Sequence, residues 1–212
     1  MLLYYIWLLY NNIIMNYMNI LFYLVFFGII GICIYVYFKK DDFQLKCIIS
    51  NVNGNTFCVR ERNKLQESAD LLAKITDKAT YFVNYLKEKY PDKQCVKRLV
   101  EGYNPDTIKE ILPNSKHTAY TENKQKMFFC LNVKKDDTNS KLIDEHTLMF
   151  VALHEMSHIS CKSIGHKSEF WETFRFLLGE AKIAGIHEPV DYSKEPVEYC
   201  SQKINDNPYY EI

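Results

Sequence analysis

The chain has 212 residues, and its 26 basic residues balance its 26 acidic residues. None of the first 38 residues is charged, so an uncharged N-terminal segment precedes a charged remainder. Two basic residues, Lys39 and Lys40, lie at the boundary, which leaves 24 basic and 26 acidic side chains in residues 41–212. A protein that binds nucleic acid electrostatically usually has a basic excess, so this balance disfavours a nucleic-acid partner.

The uncharged segment contains a stretch of membrane-spanning length. Residues 20–38 read ILFYLVFFGIIGICIYVYF, and about 20 such residues cross a bilayer core as a helix. We therefore predict a transmembrane helix. A buried core helix and a cleaved signal peptide are the alternatives, but a signal peptide would need a basic n-region and a small-residue cleavage site, which this segment lacks. Residues 2–10 are also apolar, and we expect them to lie at the membrane interface, with a second span as the alternative.

Lysines follow the predicted span and none precedes it: Lys39, Lys40 and Lys46. By the positive-inside rule, the rest of the chain should face the cytosol. The seven cysteines are odd in number, scattered, and without a CxxC pair. The cysteine pattern therefore predicts neither a disulfide scaffold nor a zinc knuckle, which agrees with a cytosolic location.

The first elements after the span follow from local patterning. Residues 46–60 alternate around Asn53-Gly54, which predicts a β-hairpin. Apolar residues recur at helical spacing from Leu65 to Tyr90, and Pro91 ends the predicted amphipathic helix. Residues 102–115, with two prolines, are predicted to form a connection with one helical turn.

The next stretch favours a strand pair. Residues 118–121 and 127–133 are predicted strands around a polar turn, and residues 134–141 form a polar loop. A helix is then predicted over Leu148–Ile159, with Asp144 as its N-cap.

A further helix begins near Ser168 and ends near Gly185, and the proline-containing tail after it is expected to be irregular. This order of elements predicts an α+β domain with a small antiparallel sheet.

Residues 154–158 read HEMSH, an HExxH pattern within the last helix but one. Histidines four positions apart share one helical face, about 6 Å apart along the axis, so both imidazoles can bind one Zn²⁺ ion. Glu155 can then act as a general base toward a water molecule at the metal. The alternative is a pair of structural histidines, His154 and His158, that happen to flank a glutamate. The helical context favours the catalytic interpretation.

A catalytic zinc site needs a third protein ligand and an open position for water. Cys161 lies seven residues after His154, but it lies about 7–8 Å beyond the midpoint of the two histidines, too far for a thiolate. His166 is better placed, because Gly165 can end the helix and turn the chain back over the site. The predicted zinc ligands are therefore His154, His158 and His166.

Other candidate side chains have weaker support. Three histidines lack partners at ligand spacing and are interpreted as ordinary polar residues: His117, His146 and His187. Among the 16 tyrosines, three could stabilise an oxyanion as phenol donors, and no local feature selects one of them: Tyr120, Tyr192 and Tyr199.

Residues 154–171, HEMSHISCKSIGHKSEFW, resemble the active-site segment of the WLM-type and SprT-like zinc metallopeptidases of the zincin group. The shared features are HExxH, a following histidine, and an aromatic pair that opens the next helix. The resemblance includes Tyr120-Thr121 and the tail residues 196–200, and it covers most of residues 46–212. In this fuller form the chain is similar to membrane-anchored WLM-like proteins of large cytoplasmic DNA viruses. It departs from the WLM pattern in the seven-residue spacing between His158 and His166, and in lacking a further histidine there.

The apolar stretch places a membrane anchor in residues 1–40, and the resemblance implies a zincin-like metallopeptidase domain in residues 41–212. Zn²⁺ would bind the three histidines, and Glu155 would be the catalytic carboxylate of an endopeptidase that acts on polypeptides, in the cytosol or at an internal virion membrane. One alternative is a structural membrane or virion protein that keeps the fold without turnover. A second is a DNA-associated protease for protein–DNA crosslinks, as in characterised relatives, which the near-neutral domain and the anchor disfavour.

Overall fold

The computed structural model describes residues 2–39, 45–135 and 141–211. The chain divides into two compact units, Met1–Phe43 and Gln44–Ile212. Lys40, one of the lysines on which the predicted membrane orientation is based, lies outside the described residues. Residues 136–140 of the predicted polar loop also lie outside them.

The N-terminal unit is one continuous helix, α1 (Leu2–Lys39). Its segment Tyr17–Tyr37, 21 residues, is long and apolar enough to cross a membrane. Membrane anchors and N-terminal signal sequences both have this length and composition. The asparagines between residues 11 and 19 do not end the helix, so residues 2–10 continue it rather than forming a separate element.

The second unit opens with the predicted β-hairpin. Strand β1 (Leu45–Ile49) pairs antiparallel with β2 (Thr56–Arg60). Gly54 in the connecting turn has a φ of 75°, a conformation that glycine adopts without steric cost. The side chain of Asn53 accepts a hydrogen bond from the backbone N–H of Asn55, which closes the turn. The hairpin prediction is confirmed.

Two helices follow the hairpin. The predicted amphipathic helix is confirmed as α2 (Leu65–Lys89). A second helix, α3 (Gln94–Gly102), was not predicted, because only Val96 and Leu99 of its nine residues are buried and its apolar pattern is short. The predicted helical turn of the connection is a 3₁₀ turn at Pro105–Thr107.

The strand pair around the polar turn is confirmed as β4 (Ala119–Glu122) and β5 (Lys126–Phe129), which are antiparallel. A third strand, β3 (Lys109–Glu110), pairs parallel with β5, so the sheet order is β3-β5-β4. The expectation of a wholly antiparallel sheet is therefore wrong for this sheet. A strand of two residues is too short to show a period in the sequence.

The last two predicted helices are α4 (Glu145–Ser160) and α5 (Ser168–Ile183). The tail was expected to be irregular, but it contains a hairpin of β6 (Val197–Tyr199) and β7 (Gln202–Ile204). The turn of this hairpin has no glycine, which removes the usual signal.

Helix α4 lies at the centre of the second unit and packs against α2, α3, α5 and β4. Most of its residues are buried, which explains why its apolar positions extend around the helix rather than along one stripe. The unit is a mixed α+β structure, as predicted. Its largest fully buried side chains include Phe82, Phe129, Phe170, Phe174, Leu72 and Leu148.

The structure contains two disulfide bonds, so the expectation of no disulfide scaffold is wrong. Cys47 and Cys58 are direct partners across β1 and β2, and Cys130 after β5 is bonded to Cys200 in the β6–β7 turn. Strand register and tertiary contact set these pairings, and spacing in the sequence does not reveal them. The cysteines therefore no longer support a cytosolic location. The free cysteines are Cys33, Cys95 and Cys161.

Candidate metal centre

The helix that carries the HExxH pattern begins at the predicted cap. The carboxylate of Asp144 accepts hydrogen bonds from the backbone N–H of Thr147 (2.8 Å) and from its hydroxyl (2.7 Å). This cap satisfies a free N–H group of the first turn and fixes the start of α4. Polar residues in so buried a helix need a structural or chemical reason, and three of them face one cavity: His154, Glu155 and His158.

The structure brings the three predicted ligands together. One ring nitrogen from each of His154, His158 and His166 lies within 4.8 Å of the other two. The Nε2 atoms of His154 and His166 are 3.0 Å apart. Three imidazoles around a common point are a typical donor set for zinc, so the described residues fit a metal ion.

His166 reaches the site from the loop between α4 and α5. Helix α4 ends at Ser160, and Gly165 has a φ of 77°, a left-handed conformation that favours glycine. The chain turns back there, as predicted, but Gly165 does not end the helix, because Cys161 already has an extended backbone (φ −85°, ψ 147°). Cys161 caps the end of α4 and is buried, and it is not part of the ligand cluster.

One carboxylate holds the backbone of this loop. Glu169, in the first turn of α5, accepts hydrogen bonds from the backbone N–H groups of Lys162 (2.8 Å) and Ser163 (2.9 Å). These bonds lower the pKa of Glu169 to about 2, with the bond from Lys162 as the largest cause. Arg98 donates to both Glu169 and the carbonyl of Ser160, which links the loop to α3.

A lysine holds the same loop through its backbone carbonyl groups. The ammonium of Lys124, in the turn between β4 and β5, donates to the carbonyl groups of Cys161, Lys162 and Ser163. Because these carbonyls lie at and beyond the C-terminal end of α4, a cation there is favourable. Two charged side chains, Glu169 and Lys124, therefore fix the loop that presents the third histidine.

An aromatic side chain supports all three imidazoles. The ring centroid of Phe170 lies 4.8, 4.5 and 4.6 Å from those of His154, His158 and His166. Phe170 is fully buried, and Trp171 next to it packs against His166 at 5.6 Å. The aromatic pair noted in the sequence thus restricts the orientation of the histidine rings.

Burial keeps these histidines neutral. It is the largest cause that lowers the pKa of His154 to about 3 and that of His158 to about 4, and it also lowers the pKa of His166. For His154, the two neighbouring imidazoles add to the shift. A metal ion binds the neutral form of imidazole, so the site is ready for a metal ion at neutral pH.

Glu155 lies beside the histidines with its side chain buried, at 4% exposure. Burial raises its pKa to about 7, and a hydrogen bond from Thr121 opposes this shift. The hydroxyl of Thr121, on β4, is 2.7 Å from the carboxylate Oε2 of Glu155. This carboxyl group can therefore bind and release a proton near neutral pH, as a general base must.

Two cavities, of about 620 Å³ and about 460 Å³, open beside the histidines. Both are lined by Ala119, His154, Glu155 and His166, so the two cavities meet at the site. The larger also reaches Tyr120 and the loop that carries His166. The smaller is lined by aromatic side chains and by residues 202–206 of the tail.

The three tyrosines considered as oxyanion donors have different surroundings in the structure. Tyr199 is buried, and its hydroxyl accepts from the N–H of Cys130 and donates to the carbonyl of Thr118, so it is committed to the fold. Tyr192 packs against Phe150 at 4.9 Å and lines neither cavity. Tyr120 lines the larger cavity beside the histidines.

The remaining histidines stay outside the cluster, although two of them are partners. His146 and His187 stack with ring centroids 4.2 Å apart, and the Nε2 atom of His146 lies 2.6 Å from the carbonyl of Glu188. His117 is exposed and packs against Tyr120 at 5.5 Å. None of these three belongs to the group of side chains that could hold a metal ion.

Sequence reasoning missed the supporting residues of the site: Thr121, Lys124, Glu169 and Arg98. The resemblance included Thr121 but gave it no role, and no motif marks Lys124 or Glu169. Arg98 lies 62 residues before the carbonyl group to which it donates. The position of Glu169 was a further signal, because an acidic residue in the first turn of a helix is common near free N–H groups.

Comparison with other proteins finds relatives but no family. No protein-family model matches the chain, and no solved structure matches it significantly. The chain is 26% identical over 174 residues to the uncharacterized protein R325 of Acanthamoeba polyphaga mimivirus, a region that covers 80% of this chain and 87% of that protein.

Two further relatives come from invertebrate viruses. Identity to the uncharacterized protein 136R of Invertebrate iridescent virus 6 is 27% over 117 residues, or 51% of this chain and 65% of that protein. Identity to the uncharacterized protein 042R of Invertebrate iridescent virus 3 is 35% over 85 residues, or 39% and 49%. The names of these viral proteins give no activity that could be transferred to the chain.

Proposed function

We propose that the chain is a membrane-anchored, zinc-dependent endopeptidase with a zincin-like catalytic domain. The observation that carries this proposal is the convergence of three neutral imidazoles, with ligand atoms within 4.8 Å, beside the buried carboxylate of Glu155. The HExxH pattern on a helix and the resemblance to WLM-type and SprT-like peptidases, which include the same residues, also support it.

His154, His158 and His166 would hold the metal ion. A zinc ion bound there would lower the pKa of a water molecule and polarise a peptide carbonyl. Phe170 packs against the imidazoles, and Glu169 holds the loop that carries His166. Both contacts keep the ligands oriented and so reduce the free-energy cost of arranging them when the metal binds.

Glu155 would accept a proton from the attacking water and pass it to the leaving amine. Its pKa of about 7 suits both steps, because the group can bind and release a proton near neutral pH. The hydroxyl of Thr121 holds one carboxylate oxygen and leaves the other for the reaction. Tyr120, in the larger cavity, is the tyrosine that could donate to an oxyanion.

The substrate would be an extended polypeptide. Strand β4 is an edge strand of its sheet, and its residues Ala119, Tyr120 and Thr121 line the cavities beside the histidines. An extended chain can pair with such an edge through backbone hydrogen bonds. Residues 41–212 have no basic excess of the kind that favours nucleic acid, so nucleic acid is disfavoured and polypeptide is the proposed partner.

Helix α1 would be the single membrane anchor, with the enzymatic unit on the cytosolic side or at an internal virion membrane. The lysines after the span support this orientation, including Lys39 and Lys46. The two disulfides are typical of oxidising compartments, so in the cytosol they would be exposed to reducing thiols. Protease protection of the chain inserted into membrane vesicles tests the orientation.

The test of the activity uses the full chain in detergent micelles with unfolded casein as substrate. Replacing Glu155 by Gln should leave zinc content unchanged and reduce cleavage by at least about 100-fold, as expected for loss of a general base. Glu172→Gln, an exposed site in α5, is the matched control and should cleave like wild type. Undiminished cleavage by Glu155→Gln would show that the mechanism is wrong.

The same assay distinguishes the alternatives. Equimolar zinc without cleavage of any unfolded protein would favour a structural protein of the membrane or virion. Stimulation of cleavage by DNA that disappears at high salt would favour the DNA-associated protease.

A further inference from the structure

The β6–β7 hairpin forms one side of the smaller cavity next to the histidines. Its residues 202–204, with residues 205 and 206 that follow, line this cavity, which also reaches His154 and Glu155. The cavity contains a set of apolar side chains: Phe150, Val151, Trp171, Phe174, Ile204 and Pro208. A substrate segment that enters this cavity from the catalytic centre would therefore contact the hairpin.

The hairpin is attached to the rest of the unit at its turn. Cys200 and Ser201 both have left-handed backbone conformations, with φ of 52° and 62°, which non-glycine residues adopt only where their surroundings hold them. The N–H of Cys200 donates to the carbonyl of Asn132 (3.1 Å), and that of Ser201 donates to the carbonyl of Val133 (2.8 Å). The disulfide from Cys200 to Cys130 adds a covalent link.

Tyr199 reinforces the same attachment. Its buried hydroxyl accepts from the N–H of Cys130 (3.2 Å) and donates to the carbonyl of Thr118 (3.2 Å). Thr118 and Tyr199 both line the smaller cavity. The covalent link and these hydrogen bonds therefore all join the hairpin to the chain segments that flank β4 and β5, next to the histidines.

The second disulfide, Cys47–Cys58, does not lie beside either cavity. Cys47 and Cys58 join β1 to β2, and no residue of these strands lines either cavity among the described residues. The two disulfides also differ in exposure: Cys47 is exposed, whereas Cys130 and Cys200 are at most 1% exposed. The chain thus offers a control disulfide of its own.

We propose that the β6–β7 hairpin is a substrate-binding wall of the cleft and that the Cys130–Cys200 disulfide fixes its position. Substrate binding would then depend on the redox state of this pair, whereas metal binding would not. This inference rests on the proposed function, because it assumes that a polypeptide occupies the cleft. It adds a positioning role for two cysteines that contact neither the metal site nor the reacting atoms.

The chemistry requires a dithiol reductant. Thiolate attack on the disulfide and exchange through a mixed disulfide leave the reductant as a cyclic disulfide, and its two electrons and two protons pass to the sulfurs of Cys130 and Cys200. On the proposed cytosolic side of the membrane, such reductants are present, and disulfides there are usually transient and redox-sensing. The hairpin would then be held by its hydrogen bonds alone in the reduced protein and by the covalent link as well in the oxidised protein.

The experiment compares two double variants of the full chain in detergent micelles: Cys130→Ser/Cys200→Ser and Cys47→Ser/Cys58→Ser. The probe is a fluorescein-labelled peptide with a central Phe-Leu pair, chosen because the cavity lining is apolar. Peptide affinity is measured in the Glu155→Gln background, where cleavage does not interfere. KM, kcat and zinc content are measured without that change.

Loss of the Cys130–Cys200 bond should weaken peptide binding and raise KM by about tenfold to about 100-fold, with a smaller change in kcat and unchanged zinc content. The Cys47–Cys58 variant should match wild type. Unchanged peptide affinity of the Cys130→Ser/Cys200→Ser protein would overturn the inference while leaving the proposed function intact. If the Glu155→Gln protein with both disulfides intact binds zinc but no peptide, both proposals fail.

A second measurement applies if the double variant folds poorly. The Glu155→Gln protein with all cysteines intact is reduced stepwise with dithiothreitol, and the more exposed Cys47–Cys58 bond should react before the buried pair. Peptide affinity should stay constant during the first step and fall with the second, as thiol labelling and mass spectrometry follow each bond. A fall in affinity that accompanies only the first step would contradict the inference.

Discussion

The hydroxyl of Thr121 lies 2.7 Å from Oε2 of Glu155, which joins the edge strand β4 to the carboxylate of the HExxH pattern. The same hydroxyl is 3.2 Å from the backbone carbonyl of Glu155. A hydroxyl has one proton, so the shorter bond to the carboxylate is the favoured one. The bond stabilises the charged form of Glu155 and fixes the direction of its side chain.

Thr121→Val removes this bond and keeps the side-chain shape. The pKa of Glu155 should rise further, because the hydrogen bond that lowers it is lost. We expect kcat to fall by about tenfold to about 100-fold, the effect of losing a hydrogen bond to a charged group of about 1.5–3 kcal/mol. Steady-state kinetics at equal zinc content measure the effect. Thr121→Ser, which keeps the hydroxyl, should be close to wild type, and equal losses in both variants would argue against this role.

The hydrogen bonds from Lys162 and Ser163 to Glu169, which hold the loop before His166, predict an effect on metal affinity. In Glu169→Gln, the side chain can no longer accept two backbone hydrogen bonds with a full negative charge, so the loop that carries His166 is held less firmly. Zinc affinity should fall by about tenfold or more, as for other residues that orient metal ligands. Competition with a fluorescent chelator measures the affinity. Glu172→Gln is the control, and a loss of zinc affinity of the same size in both variants would contradict the role of Glu169 in holding the loop.

Gly102 marks a close approach of α3 to the turn between β4 and β5. A Cβ atom on Gly102 would lie 2.5 Å from the carbonyl oxygen of Lys124 and 2.7 Å from Cγ2 of Ile159. Gly102→Ala should therefore lower the free energy of unfolding by about 1–3 kcal/mol. Gly179→Ala, in the middle of α5 where nothing lies within 4 Å of the added atom, should be neutral or stabilising. Chemical denaturation compares the two, and a stable Gly102→Ala protein would refute the predicted clash.

The His146–His187 stack predicts a pH dependence of stability away from the candidate metal centre. Burial is the largest cause that lowers the pKa of His187 from 6.5 to about 3, and the nearby His146 adds to the shift. As pH falls below 6.5, the unfolded chain takes up a proton at His187 and the folded chain does not. Stability should therefore decrease between about pH 6.5 and about pH 3, since the unfolded state binds more protons in this range.

His187→Phe tests this dependence, because phenylalanine can occupy the same apolar, ring-lined position. The free energy of unfolding, measured with urea at pH 7 and pH 5 in the absence of metal, should decrease less on acidification than in wild type. Part of the decrease should remain, because His154 and His158 also have lowered pKa values. An identical decrease in variant and wild type would contradict the assignment to His187.

The sequence was sufficient to predict the helices and strands that have a clear local pattern. The hairpin around Asn53-Gly54, the long helix α2 and the helix with the HExxH pattern each have a clear period or turn signal, and the structure contains all three. Helix α3, strand β3 and the β6–β7 hairpin were missed. They are two to nine residues long, and tertiary pairing stabilises them more than local preference does.

The site shows the same division between local and distant information. The HExxH pattern and the glycine before His166 were sufficient to select the three histidines that the structure brings together. Thr121, on β4, and Lys124, in the turn after β4, contact residues 34 and 38 positions later in the sequence, and a local pattern does not reveal such contacts. The disulfide partners depended on strand register for Cys47–Cys58 and on tertiary contact for Cys130–Cys200, and the expectation of no disulfide scaffold failed for that reason.

The most direct test of the account is elemental analysis of the full chain purified in detergent and dialysed against a mild chelator. Wild type and the control His117→Ala should retain one zinc ion per chain, whereas His166→Ala should lose most of it, because two imidazoles bind zinc much more weakly than three. Wild-type protein without zinc, or a His166→Ala protein that retains it as tightly, would contradict the three-histidine metal centre.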